Sequence, residues 1–276
     1  MVGATSLRSL LEPVHQPVLG LDAYGVIYNN SGPFSTMPAV FDYCRDHAIP
    51  IVMMTNNAKQ SIDIIYKKMV DFGLAIPRDH IISSACGLND VPELKKQVIN
   101  RSVFVYGYQS TYPYVMDAGG HCVSNPDDAD LIVLASSLKT DNNQMYDRVV
   151  SSIHRHPHRP IICVNPDQYV RCHTGELFPV MGFYAQKMSQ QLDSSKVIWM
   201  GKPMPLFSKL VQIRLTQLGL PLKSLVFCDD NPLNVHRIVT DLGCWGAVIS
   251  STGVFSQYAD DYRSHPNIVK WPRCEL

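Results

Sequence analysis

The chain has 276 residues, of which 46% are hydrophobic and 17% charged, and its 24 lysines and arginines balance 24 aspartates and glutamates. The length allows two modules, and the composition excludes a disordered tail or a fibre. The neutral balance provides no field for a nucleic-acid polymer or an anionic membrane. No apolar run reaches the ~18–20 residues of a membrane span. Pro13 and Pro17 stand where the apolar stretch of a secretory leader would continue, so a cytoplasmic protein is expected.

In chain order, VLGLD (18–22) and IVMMT (51–55) read as buried strands, followed by a helix over 58–72 with Ile62, Ile65 and Met69 at helical spacing. The middle, roughly 80–190, has its own series: SVFVYGY, ADLIVLAS, a helix near 142–153, and PIICVNPD. Then come VIWMG (197–201), a helix over 205–218 with Leu206, Leu210 and Ile213, SLVFCDD (224–230), a helix over 232–242, and WGAVIS (245–250). Near-continuous apolar strands separated by helices predict an α/β fold whose parallel sheet is covered on both faces. The middle holds enough material for a second α/β module, with short junctions near 78–86 and 180–196. The expected division is a Rossmann-like core of 1–80 and 190–276, with 81–189 inserted.

In such a sheet, ligands gather at the carboxyl ends of strands. Four polar groups stand there: Asp22-Ala23-Tyr24-Gly25, Thr55-Asn56-Asn57, Gly201-Lys202-Pro203, and Asp229-Asp230-Asn231-Pro232 with Asn234 a turn further on. Singly, each is an ordinary cap, turn or solvated charge. Together, one carboxylate, a hydroxyl–amide cluster, a lysine and a paired acid suit phosphoryl transfer. Asp22 can attack phosphorus, Thr55 and nearby amides can hold phosphate oxygens, and Lys202 can neutralise charge. Asp229 and Asp230 can hold Mg²⁺, which favours carboxylate and water oxygens.

The strings DAYGVIYN, MMTNNA, WMGKPMP and VFCDDNPLN, in that order, resemble the four signatures of the haloacid dehalogenase superfamily. Within it the chain is most similar to the class IIA phosphatases with a large α/β cap, including phosphoglycolate, pyridoxal and 4-nitrophenyl phosphatases. The resemblance extends to TNNAKQSIDIIYKKMVDFGLAIPRDHIISSA and to the cap segments VNPDQYV and GELFPVMGFYA. Only 32 residues separate Asp22 from Thr55, while 146 separate Thr55 from Lys202, which puts the cap between the second and third signatures. The resemblance implies a Mg²⁺-dependent phosphatase acting on a small phosphorylated metabolite. Asp22 would be nucleophile and metal ligand, and the Tyr24 carbonyl a further ligand. Thr55, Asn56 and Asn57 would bind phosphate, with Lys202 beside them, and Asp229 or Asp230 would complete the metal site near Asn234. Asp229 is favoured because it follows its strand most directly. Asn165 and Asp167 in the cap are candidate substrate contacts, and the cap is the expected surface for a homodimer.

One position departs from the pattern. The family's phosphatases carry a second aspartate two residues after the nucleophile, as general acid and base; here it is Tyr24. A phenol of pKa ~10 is a poor base at neutral pH, and losing such help costs ~10²–10⁴-fold. A slow or impaired enzyme, or a regulatory binding protein, is therefore the alternative. DAYG also resembles the 2-haloacid dehalogenases, but those carry their cap between the first two signatures and lack a full acidic metal site.

The remaining features read as structural. Cysteines at 44, 86, 122, 163, 172, 228, 244 and 274 form no C-x-x-C pair, so they are expected as scattered, mostly buried thiols. His154, His156 and His158, with Arg155 and Arg159, follow a helix, where the dipole favours them. The tyrosines at 106, 108, 112 and 114 are expected in packing around a strand end.

Overall fold

The structure is a computed structural model that describes residues 6–74, 76–137, 144–171, 176–191, 197–251 and 265–271. Its centre is a six-stranded sheet in the order Ile268–Trp271, Trp245–Ile249, Leu225–Asp229, Val18–Leu21, Ile51–Thr55, Ile81–Ser83. Every neighbouring pair is parallel. The chain winds outward in one direction from Val18–Leu21 and in the other from Leu225–Asp229. The topological switch thus falls between these two strands, where α/β sheets open a crevice. Their register pairs Leu21 with Cys228, so Asp22 and Asp229 leave the sheet side by side.

Every residue of Val18–Leu21, Ile51–Thr55 and Leu225–Asp229 is buried, which explains their continuous apolar sequences. Helix Ile62–Asp71 buries Ile65 and Met69 as its periodicity requires. Helix Pro205–Gln217 buries Phe207, Leu210, Val211 and Leu215, a stripe turned slightly from the predicted one. Helix Pro232–Leu242 starts where Asn231 caps the backbone N–H of Leu233.

A second, five-stranded parallel sheet runs Val197–Trp199, Ile161–Cys163, Leu131–Leu134, Ser102–Tyr106, His121–Val123. An antiparallel hairpin, Tyr169–Arg171 with Leu177–Pro179, extends from this module. One apolar cluster joins the two sheets: it includes Met54 and Ile82 of the first and Val105, Val133 and Ile162 of the second.

The module boundaries differ from those expected. Ile81–Ser83 pairs with Ile51–Thr55, so the core sheet continues past residue 80. Val197–Trp199 pairs with Ile161–Cys163, so the inserted sheet continues past residue 189 to Trp199. A buried parallel strand has the same apolar composition in either sheet, and only its hydrogen-bonded neighbour decides which one it joins. The six described cysteines are free thiols, five of them buried, while Cys172 and Cys274 lie outside the described residues. No helix among the described residues is long and apolar enough to cross a membrane.

Candidate active site

The switch point places the nucleophile candidate. Asp22 follows the central strand, and its backbone N–H donates to the Cys228 carbonyl at 2.9 Å, continuing the ladder one residue past the strand. The loop then turns at Gly25, whose φ is +98°. A Cβ there would lie 3.2 Å from Cγ of Asp230, so conformation and space both call for glycine. Ile27 and Tyr28 donate their N–H groups to the Ala23 carbonyl, and Gly25 donates to that of Tyr28, closing a tight loop.

Lys202 comes from a different source than predicted. It stands three residues beyond the last strand of the inserted sheet, rather than at the end of a core strand. Asn56 brings it into place: its Oδ1 accepts the Lys202 backbone N–H at 2.7 Å, and its Nδ2 donates to the Lys202 carbonyl at 2.9 Å. The Lys202 side chain is buried, with Nζ 2.5 Å from Asp22 Oδ1 and 2.7 Å from Asp229 Oδ2. It also lies 5.3 Å from the centroid of the Phe227 ring.

Asp229 is held equally closely. Asp229 Oδ1 accepts the backbone N–H of Asn231 at 2.8 Å, and its Oδ2 accepts from Asn234 Nδ2 at 3.1 Å. Asn234 Oδ1 is buried with no hydrogen-bond donor among the described residues. Asp22, Asp229 and Asp230, all buried, present carboxylate oxygens within 4.8 Å of one another. Three carboxylates against one ammonium leave two formal negative charges among these four side chains. A divalent cation with oxygen ligands matches that balance and that donor chemistry. The unpartnered Asn234 oxygen is an acceptor of the kind a cation-bound water would serve.

The electrostatics follow from burial. Desolvation pushes the Asp22 carboxyl up to about 7; Lys202 opposes the shift and Asp229 adds to it. Burial alone would push the Lys202 ammonium down, but Asp22 and Asp229 hold it above the ordinary lysine range. Asp167 is raised to about 6 by burial, against the opposing pull of its Asn56 hydrogen bond and of Lys202.

The other candidates take structural positions. Thr55 Oγ1 accepts the backbone N–H of Asn57 at 3.1 Å. Asn57 bonds Gln60 Oε1 through Nδ2 and accepts from Lys59 N–H, shaping the turn before helix Ile62–Asp71. Asn56 Nδ2 reaches Asp167 Oδ1 at 2.8 Å, and Asn165 Oδ1 accepts the N–H of Asp167. Asn56, Asn165 and Asp167 thus bond each other and the Lys202 backbone across the junction of cap and core. The Tyr24 hydroxyl donates to the Arg171 carbonyl of the cap hairpin at 2.8 Å. Sequence reasoning missed Arg171 because only its backbone takes part. It also missed Phe227 under the lysine, which reads as one more apolar strand residue.

Residues 19–120 match the family model described as haloacid dehalogenase-like hydrolase. The fold as a whole is shared with solved structures of low sequence identity. A p-nitrophenyl phosphatase from Archaeoglobus fulgidus superimposes with a TM-score of 0.75 over 93% of this chain and 95% of its own, at 20% identity. NagD from Escherichia coli gives 0.74 over 94% and 97%, at 17% identity. A possible sugar phosphatase from Cytophaga hutchinsonii gives 0.84 over 100% and 99%, at 18% identity. A search of curated proteins returned no match.

Proposed function

We propose that the protein is a phosphomonoester hydrolase that works through an aspartyl-phosphate on Asp22 and takes a small phosphorylated metabolite. The observation that carries this reading is Lys202, buried and within 2.7 Å of both Asp22 and Asp229, although the three residues lie far apart in sequence. Support also comes from the similarity in fold to proteins named p-nitrophenyl phosphatase and possible sugar phosphatase.

In this reading an Asp22 oxygen attacks phosphorus and the P–O bond to the leaving group breaks, releasing an alkoxide or phenolate that takes its proton from solvent. Water then cleaves the aspartyl-phosphate, giving inorganic phosphate and restoring the Asp22 carboxylate. Lys202 balances charge on the nucleophile and on the phosphoryl oxygens. Asn56 sets the lysine by both its backbone groups, and Thr55 and Asn57 shape the loop that faces the phosphoryl group. Asp22, Asp229 and Asp230 would hold Mg²⁺, with the Tyr24 carbonyl a further ligand and Asn234 beside them. The ion would supply positive charge to the transferring group. Between the two acids, Asp229 already receives Lys202, Asn231 and Asn234, so Asp230 is needed to complete the donor set.

A cytoplasmic setting belongs to this reading, supported by the free thiols among the described cysteines. A homodimer through the cap is supported by Tyr169, Leu177 and Phe178, which are exposed on its hairpin. The test of function is hydrolysis of 4-nitrophenyl phosphate with Mg²⁺. Wild type should turn over and Asp22→Asn should not; activity persisting in the variant rejects Asp22 as nucleophile. A second reading, an impaired binding protein, is favoured by Tyr24, whose hydroxyl is bonded to the cap. It predicts binding of phosphate esters without turnover.

A further inference from the structure

We propose that Tyr24 is a latch that holds the cap hairpin down beside the nucleophile loop, a positioning residue rather than an acid or base. The claim rests on the geometry of cap and core; only the kinetic arm of its test rests on the phosphatase reading.

Besides the Asn56–Asp167 and Asn56–Lys202 bonds described above, the cap meets the core on two sides of unequal strength. On one side, three hydroxyls of the cap bond three consecutive carbonyls of the core loop after Thr55. Thr111 Oγ1 donates to Ala58 at 2.8 Å, Ser110 Oγ to Lys59 at 2.6 Å, and Tyr114 Oη to Gln60 at 2.7 Å. Thr111 and Tyr114 are buried. Ser84 Oγ adds a buried bond to the Val164 carbonyl. Breaking this side requires several desolvated hydrogen bonds to open together, so it acts as the fixed edge.

The other side is the hairpin Tyr169–Arg171 with Leu177–Pro179. A two-stranded ribbon is marginal by itself, and here Leu177 and Phe178 are about half exposed, at 48% and 50%. Tyr24 reaches it from the core, donating its hydroxyl proton to the Arg171 carbonyl. The phenol ring is positioned from below. It packs edge-on to Tyr28, with centroids 6.2 Å apart and planes at 87°. Tyr28 in turn lies under the Lys68 ammonium, 3.6 Å from its ring centroid. The hydroxyl proton is directed at a backbone carbonyl, which cannot pass a proton onward. Using Tyr24 as an acid would break the contact that places it.

Tyr24→Phe keeps the ring and its packing on Tyr28 and removes the hydroxyl. Amide hydrogen exchange of the protein without substrate should show the ladder-bonded amides of Val170 and Phe178 exchanging roughly 2–10-fold faster than wild type, the effect of one lost hydrogen bond. The amides of Leu131–Leu134, at the centre of the cap sheet, should exchange at the wild-type rate, which separates local release from general destabilisation. Hairpin exchange at the wild-type rate overturns the latch. In the kinetic arm, kcat/KM for 4-nitrophenyl phosphate should rise by a similar factor, because the open form admits the ester. A fall in kcat of ~10²–10⁴ on ethyl phosphate would instead mark a general acid and overturn the positioning role. If wild type turns over neither ester, the phosphatase reading fails and the exchange measurement decides the latch alone.

Discussion

Lys202 is the residue on which the site's charge balance turns. Burying one ammonium between two carboxylates is tolerable only while all three are present, because removing one partner leaves an uncompensated charge in low dielectric. Lys202→Met should therefore lower stability by about 3–5 kcal/mol in metal-free buffer, read from urea denaturation. Added Mg²⁺ should restore part of the loss. Asp167 gives the pH dependence. Its folded value of about 6 lies above the ordinary 3.8, so the folded protein keeps a proton that the unfolded chain releases. Stability from this group is fully present below about 4 and is lost as pH rises to about 6. Asp167→Asn has no proton to lose, so its thermal midpoint should fall less steeply than that of wild type over this range. An identical slope would show that Asp167 is ionised throughout.

Among the elements, the junction of cap and core depends on two close approaches around Pro166. Gly201 has φ +113°, and a Cβ there would come within 2.5 Å of Pro166 Cδ. Gly182, in the first turn of helix Met181–Gln191, would put a Cβ 2.1 Å from the Pro166 carbonyl oxygen. That obstacle is backbone and cannot swing aside. Gly182→Ala should cost about 1–3 kcal/mol, measured by denaturation, and should loosen the Asn56–Asp167 contact. The positions of these elements show what could be read in advance. The strands ending in Asp22, Thr55 and Asp229 were legible because burial on both faces makes each an unbroken apolar run that stops abruptly at a polar residue. Val197–Trp199 was misplaced for the same reason, since its composition suits either sheet. Asn56 was legible as a polar residue at the mouth of the sheet. Its bond to the Lys202 backbone was not, because the two stand 146 positions apart in the chain.

At the scale of the molecule, the three buried carboxylates, with oxygens within 4.8 Å of one another, would bind a divalent cation in the folded state and not in the unfolded chain. Mg²⁺ at ~100 times its Kd should raise stability by about 2.7 kcal/mol, a rise of roughly 5–10 °C in Tm for a chain of this size. Asp230→Asn should reduce that shift, and an unmoved Tm in wild type would remove the ion from the site. Composition, strand–helix alternation and short polar strings were enough to read the α/β fold class and to single out Asp22, Lys202 and Asp229, which the fold brings together. These are local properties, written in burial period and residue type. Only the tertiary structure decided which sheet each strand joins, that Asn56 carries Lys202 by its backbone, and that the Tyr24 hydroxyl meets the Arg171 carbonyl. The last two depend on contacts between segments more than a hundred residues apart, and a backbone carbonyl has no letter in the sequence.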